Sequence, residues 1–458
     1  MLNMLKNWLK RTAAPGVSIA IEDGHQIRCF SEGVSDLRAN LPVCDETEFQ
    51  LGSVSKLITA FVLLETLADR NASVDTPVVT IAPDLKASNE SAFHNVTIRQ
   101  LLCHTSGLDS QWRAEFGRGE GASKMAARAI AAMPLIARPS ELFSYSGPAY
   151  VLAGYITELL SGRCWEEHVW LTVAKYLNYH SISARPEQVL LKPSAIGYVA
   201  LPEGDGAPMP AARWYAPLAL SPGGGLVGTP ADVAKLMRAV RDRLGLSPVP
   251  ARQMAAAFAA PTVGWRYEGW GLGIAKYRLA DRSTCWGHDG TTSGQGYAVR
   301  LCEERPETVI VATNAAWAAS QAGKLAEEII GRITGGVDSA RVEYRRDAMA
   351  SYDAWRLPPA EDLSESYIRL NHTTLVRSGS GAELIVEEIY SPQDEANWFG
   401  KEDPRGTNGV MEQFKLVERH SYASISKKLH FLRHPDAPGR IYAHDGMRAS
   451  VRTARPWI

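Results

Sequence analysis

Hydrophobic residues near the N-terminus recur at helical spacing, with Leu2, Leu5, Trp8 and Leu9 on one face and Lys6, Asn7, Lys10 and Arg11 between them. Val17–Ile21 is then a short β-branched run, Asp23-Gly24 has the chemistry of a tight turn, and Gln26–Phe30 returns, which predicts a hairpin. Leu57, Ile58, Phe61, Leu64 and Leu67 define a strongly apolar helix. A second helix is expected from about Pro148 to Leu160, stopped by Ser161-Gly162. A third should start at Thr229-Pro230-Ala231-Asp232. There threonine can cap, proline suits the first turn, and aspartate favours the positive end of the helix dipole. Strand patterns resume between Gly264 and Ala312, clearest at Tyr297–Leu301 and Val309–Ala312, and Ala322–Ile333 reads as a closing helix.

Beyond Gly335-Gly336 the texture changes to short strand-like runs and turn clusters: Leu384–Ile389, Met411–Val417, Ser421–Ser426, Leu429–Leu432, Arg440–Ala443 and Ala449–Thr453. Such a series predicts a small antiparallel barrel or sandwich. The expected division is therefore 1–336 and 337–458, which suits a chain of 458 residues, too long for one ordinary core.

Composition narrows the class. An apolar fraction of 45% and a charged fraction of 22% are those of a globular protein, and a formal net charge of −1 argues against nucleic acid or an anionic membrane as partner. With no apolar run of membrane-spanning length and no signal-peptide pattern, the expected location is cytoplasmic. The six cysteines are scattered without metal-ligand spacing and read as free thiols, so neither a metal nor a cofactor is expected.

Three short segments could carry chemistry. In Leu51-Gly52-Ser53-Val54-Ser55-Lys56, at the head of the apolar helix, positions i and i+3 share a face. The Ser53 hydroxyl and the Lys56 amine can then meet. An amine desolvated at a helix N-terminus favours its neutral form and can take the hydroxyl proton. The competing reading is a helix-capping serine and a solvated lysine. Tyr145-Ser146-Gly147 precedes the second helix. A tyrosine there can shuttle a proton if cations lie nearby, or it can be an ordinary turn residue. In Trp286-Gly287-His288-Asp289-Gly290-Thr291, after an expected strand, glycine lets a strand edge approach a substrate. The Thr291 amide could then join that of Ser53 in an oxyanion hole, while His288 could instead be a satisfied turn histidine.

Taken together, in this order, the segments resemble the β-lactamase/penicillin-binding-protein superfamily. The likeness is to its class C-like branch, the S12 peptidase family of D-aminopeptidases, D,D-carboxypeptidases, esterases and penicillin-binding-protein-type thioesterases. Thr97–Leu108, with Leu101-Leu102-Cys103-His104-Thr105-Ser106-Gly107, Pro222–Asp232 and Gly269–Ile274 are similar to further stretches of that branch. The resemblance covers about residues 14–335. It implies an α/β fold with a mostly antiparallel sheet, helices on both sides and a helical lobe, followed by a barrel-like or lipocalin-like domain. It also implies Ser53 as acylated nucleophile, Lys56 as base, Tyr145 as proton shuttle and His288 at the third-motif position, with Gly290 and Gly147 beside the substrate.

The family usually carries asparagine where Gly147 stands, so substrate choice or deacylation should differ and a β-lactamase role is disfavoured. The implied substrate is a peptide or amide with a D-residue at the acyl position. A carrier-borne peptide to be cyclised, or a small ester, is the alternative, and a non-enzymatic sensor a further one. His104 is expected to brace the site. Gly223–Gly228 formally matches a dinucleotide fingerprint, but Asp242 lies within a charged helical stretch instead of at a strand end, which disfavours that reading. Arg448, Arg452 and Arg455 are expected to be solvated along a strand, with one pairing to a substrate carboxylate as the sharper alternative.

Overall fold

The computed structural model describes residues 1–335 apart from 88–90, 110–115, 118–120, 201–207, 213, 215, 245–266 and 280, and beyond them the backbone of eight strands between 366 and 453. The expected division at Gly336 and the side chains of Arg448, Arg452 and Arg455 lie outside the described residues.

The amphipathic N-terminal stretch forms α1 (Leu2–Thr12), which buries Met4, Leu5 and Trp8. The hairpin is β1 (Gly16–Glu22) and β2 (Ile27–Asp36), followed by the short β3 (Leu41–Pro42). The second strand runs well past the expected Phe30, because its side chains there are only partly buried on both faces and polar Ser31, Glu32 and Asp36 are tolerated. Five later strands complete the sheet: β4 (Gly269–Trp270), β5 (Ala275–Arg278), β6 (Thr284–Thr291), β7 (Gly296–Cys302) and β8 (Thr308–Thr313). Their order across the sheet is β3-β2-β1-β8-β7-β6-β5-β4, and every pairing is antiparallel.

Alternation along the strands feeds two cores, one on each face. Ile19, Ile21, Ala298 and Val311 pack with α1 and with α5 (Ala319–Ile333). Ala20, Tyr297, Val299 and Ile310 point the other way, towards α2 (Val54–Asp69) and α4 (Pro230–Leu244). Helix α2 is apolar nearly all round, as befits a helix surrounded by protein, and it packs on α3 (Gly147–Ser161). The signals for α3 and α4 act as their chemistry requires. Gly162 closes α3 in the left-handed region at φ 72°, and the Asp232 amide donates to Thr229 Oγ1 at 3.1 Å at the head of α4.

In the C-terminal part the strands are Ser366–Arg369, His372–Ser378, Glu383–Tyr390, Gly409–Glu418, Ser421–Ala423, Lys428–Arg433, Ile441–His444 and Ala449–Thr453. Each pairs with the next and the last with the first, closing a barrel. Sequence patterning located six of them and missed the first two. No helix among the described residues is long and apolar enough to cross a membrane.

Candidate active site

Ser53 sits at the N-cap of α2 in helical geometry, and its side chain makes no capping bond. Lys56, one turn on, is buried at 3% exposure, so neither half of the cap-and-solvated-charge reading holds. Its Nζ donates to Ser53 Oγ at 3.2 Å and also to the main-chain carbonyl of Gly223. Gly223 belongs to the short helix Ser221–Gly224, and this helix and the residues just after it are each tied to α2 again. Thr59 donates to Pro222 O at 2.8 Å, and Leu226 N donates to Ser55 Oγ at 3.0 Å. The formal dinucleotide motif is therefore a wall of this site. Its last two residues before α4, Val227–Gly228, pair antiparallel with Phe49–Gln50 in a small separate sheet, not in a parallel βαβ unit.

Tyr145 is buried and its ring centroid lies 5.0 Å from Lys56 Nζ, which places the amine beside the tyrosine. The turn that carries Tyr145 is held by His104, which adopts φ 58°, a left-handed conformation unusual for a residue with a side chain. Ser146 N donates to His104 Nδ1 at 3.0 Å, Ser144 N donates to His104 O at 2.9 Å, and the imidazole lies 4.3 Å from the Tyr145 ring. Ser146 then starts α3, its hydroxyl accepting from Ala149 N at 3.3 Å and donating to Asp109 O at 2.8 Å. Gly147 is the first residue of α3, and a Cβ built on Gly223 would lie 3.5 Å from its carbonyl oxygen and 3.9 Å from Lys56 Nζ.

The third segment is the strand β6 itself and not a turn after it. His288 is buried, its Nδ1 donates to the Asp289 carbonyl at 2.7 Å, and its ring meets Trp270 edge-on at 5.2 Å. A carbonyl only accepts, so Nδ1 carries the proton and Nε2 presents a lone pair. Burial, with the Lys56 charge second, pushes the imidazole down to about 3, so it is neutral at ordinary pH. Nε2 has no hydrogen-bond partner among the described residues.

The end of β6 runs against the head of α2. A Cβ on Gly290 would lie 1.9 Å from Leu51 O and 3.2 Å from Ser53 N, and one on Gly52 would lie 2.8 Å from Thr291 N. Only glycine fits at either place, and Gly52 also has φ 51°. The bond from Glu303 N to Thr284 O sets the alternation of the β6–β7 ladder, which turns the Thr291 amide away from β7, towards the edge that β5 has vacated. The amides of Ser53 and Thr291 are thus close together at the helix head.

The structure brings Ser53, Lys56, Tyr145, His288, Gly290 and Thr291 into one region, and the segment carrying Gly147 borders them. The sequence reading did not single out Gly223 as the lysine's acceptor, nor Trp270 as the partner of His288. The glycine-rich stretch and the Gly269–Ile274 strand were the signals that could have found them.

An antiparallel sheet beside a helical lobe, with a buried serine–lysine pair at the head of the helix between them, is the arrangement of the serine β-lactamase-like proteins. A family model described as Beta-lactamase matches residues 3–332, and the chain belongs to that family. Penicillin-binding protein 4 of Amycolatopsis lactamdurans is 28% identical over 332 residues, covering 70% of this chain and 86% of that protein. Esterase EstB of Burkholderia gladioli is 29% identical over 308 residues, covering 59% and 77%. Among solved structures, SurE superposes with a TM-score of 0.75 at 21% identity across 98% of both chains. A D-stereospecific amidohydrolase from Streptomyces gives 0.58 at 22% identity, covering 74% of this chain and 100% of that one. These structural likenesses concern the fold.

Proposed function

We propose that this chain is a serine acyl hydrolase or acyltransferase that works through an acyl-Ser53 intermediate on peptides or amides with a D-residue at the acyl position. The observation that carries the reading is the Lys56 Nζ to Ser53 Oγ contact of 3.2 Å inside a buried site, with the serine hydroxyl unused as a cap.

In this mechanism Lys56 takes the Ser53 proton as Oγ attacks the acyl carbon. The oxyanion develops between the amides of Ser53 and Thr291, donors already oriented by the backbone. Tyr145, beside Lys56, passes the proton to the leaving nitrogen as the C–N bond breaks, leaving the acyl-serine. Water then attacks the ester carbon, its proton goes to the Lys56–Tyr145 pair, and Ser53 Oγ recovers a proton as it leaves. Neutral His288 accepts a hydrogen bond through Nε2, from the phenol or from a substrate N–H. The Gly223 carbonyl supplies the lysine with an acceptor where relatives are expected to use the asparagine side chain that Gly147 lacks.

A D-residue preference is supported by relatives of this fold, among them a D-stereospecific amidohydrolase, a D-amino acid amidase of Ochrobactrum anthropi and SurE determined with D-Leu. A second reading, cyclisation of a carrier-borne peptide by an amine instead of water, is favoured by one observation. The strands after residue 365 close into a barrel, as the resemblance to penicillin-binding-protein-type thioesterases implies, and that part would be a lipocalin-like domain of about 337–458. Intact-mass measurement with D- and L-aminoacyl esters, peptide amides and peptidyl thioesters separates the readings by the acyl group retained. An adduct favouring L-residues, or none from any donor, overturns the proposal.

A further inference from the structure

Behind His288, on the opposite face of the sheet, lies a buried charge cluster that the mechanism above does not use. Arg300 on β7 is 2% exposed and directly faces Gly287 across the ladder. Its Nη1 donates to Asp289 Oδ1 at 2.7 Å and to Val299 O at 3.0 Å. Its Nε and Nη2 both donate to Glu327 Oε1 on α5, at 3.1 and 3.0 Å. The guanidinium carbon stacks 3.7 Å from the centre of the Tyr277 ring on β5. Helix α5 makes room with Gly323, where a Cβ would come within 2.7 Å of Arg300 Nη2 and 3.2 Å of Asp289 Oδ1. The guanidinium therefore ties together β6, β7 and α5 and packs against β5.

Asp289 links the two faces of the sheet. Its carboxylate is gripped by Arg300 on one face of the sheet, while its main-chain carbonyl accepts the Nδ1 proton of His288, whose ring lies on the other. Whether that carbonyl points at Nδ1 depends on the orientation of the Asp289 peptide, and the anchored carboxylate limits its rotation. A buried ion cluster of this kind is weak evidence for stability, because desolvation offsets most of the Coulomb gain. Its geometric effect is more specific.

We infer that Arg300 is a positioning residue. Through Asp289 it keeps His288, whose ring centroid is 6.1 Å from that of Tyr145, in the tautomer with Nδ1 protonated and Nε2 an acceptor. The charges around the imidazole agree with this arrangement. Lys56 from α2 and Arg300 from β7 disfavour the imidazolium, Asp289 on the same strand favours it, and Tyr145 faces it from the turn before α3. Losing the Arg300 charge would leave Asp289 and Glu327 uncompensated and would draw a proton to the ring.

The test uses full-length protein labelled with 15N-histidine, the His288 resonance being assigned by its loss in His288→Gln. The parent should show a single neutral tautomer protonated at Nδ1, unchanged from about pH 5 to about pH 9. Arg300→Lys keeps a positive charge but cannot bridge Asp289 and Glu327 with one planar fork. It should mix the tautomers and lower kcat/KM by about tenfold or more, as when a partner that orients a reacting group is lost. Arg300→Met should in addition raise the pH at which the ring titrates. If Arg300→Met does not fold, Glu327→Gln, which loosens the fork while keeping Arg300, is read by the same two measurements. An unchanged His288 signature with unchanged kcat/KM in the folded variants overturns the inference. The kinetic arm rests on the proposed acyl-enzyme mechanism, but the tautomer does not. A shifted tautomer in a protein that never acylates Ser53 would sink that mechanism and leave the positioning role standing.

Discussion

Ser146 N donates a hydrogen bond to His104 Nδ1 at 3.0 Å, and this bond sets the turn on which Tyr145 reaches Lys56. His104 is buried among the rings of Phe143, Tyr145, Tyr150 and Trp270. Replacing it with alanine leaves a cavity and an orphaned Ser146 amide. His104→Ala should therefore lose about 2–4 kcal/mol of stability in denaturant unfolding. A well-folded, fully stable and inactive variant would instead make His104 part of the chemistry.

The close approach of β6 to α2 makes a second prediction. Alanine at Gly290 would set a methyl against Leu51 O and part the amides of Ser53 and Thr291. Gly290→Ala should lower kcat by about a hundredfold or more, comparable to losing one oxyanion donor. Steady-state kinetics on protein with unchanged secondary structure checks this, and near-parental kcat would remove Thr291 from the oxyanion hole.

Lys56→Arg keeps the charge but cannot give up its proton, and its larger head does not fit between Ser53 and Gly223. Turnover should fall by about three orders of magnitude. Near-normal turnover would show that lysine is not the base.

Two buried groups give stability opposite pH dependences. His288, ordinarily near 6.5, is held at about 3, so the unfolded chain binds more protons between those values. Its contribution is present above about pH 6.5 and is lost as the pH falls towards 3. Glu48 is fully buried with Lys192 Nζ at 3.0 Å, and burial raises its carboxyl from 4.5 to about 7. The folded chain then holds the extra proton, and stability from this group is lost as the pH rises from 4.5 through 7. His288→Gln should flatten the acid side of a melting-temperature profile, and Glu48→Gln the side towards pH 8. Profiles parallel to the parent's would refute these assignments.

What could be read from the chain follows from how local each feature is. Ser53 and Lys56 lie one helical turn apart, so their meeting needed only the apolar periodicity that defines α2. Thr229-Pro230 and Gly162 act within a few residues and were equally legible. Gly223 supplies a main-chain carbonyl across 167 residues of sequence, and no side-chain pattern announces such an acceptor. Arg300, Asp289 and Glu327 are far apart in sequence or on different elements, and no local pattern links them. Only the packing of α5 on the sheet brings them together. The continuation of β2 to Asp36 was masked by the half-buried polar residues Ser31, Glu32 and Asp36.

Everything in the proposed chemistry depends on Ser53 carrying the acyl group. The most direct measurement is intact mass of the parent and of Ser53→Ala, mixed rapidly with a D-aminoacyl ester and then mapped by peptide digestion. The account predicts one acyl addition on the parent, confined to the peptide containing Ser53, and none on the variant. An acyl addition that persists in Ser53→Ala, or turnover by the parent with the group found on another residue, would contradict it.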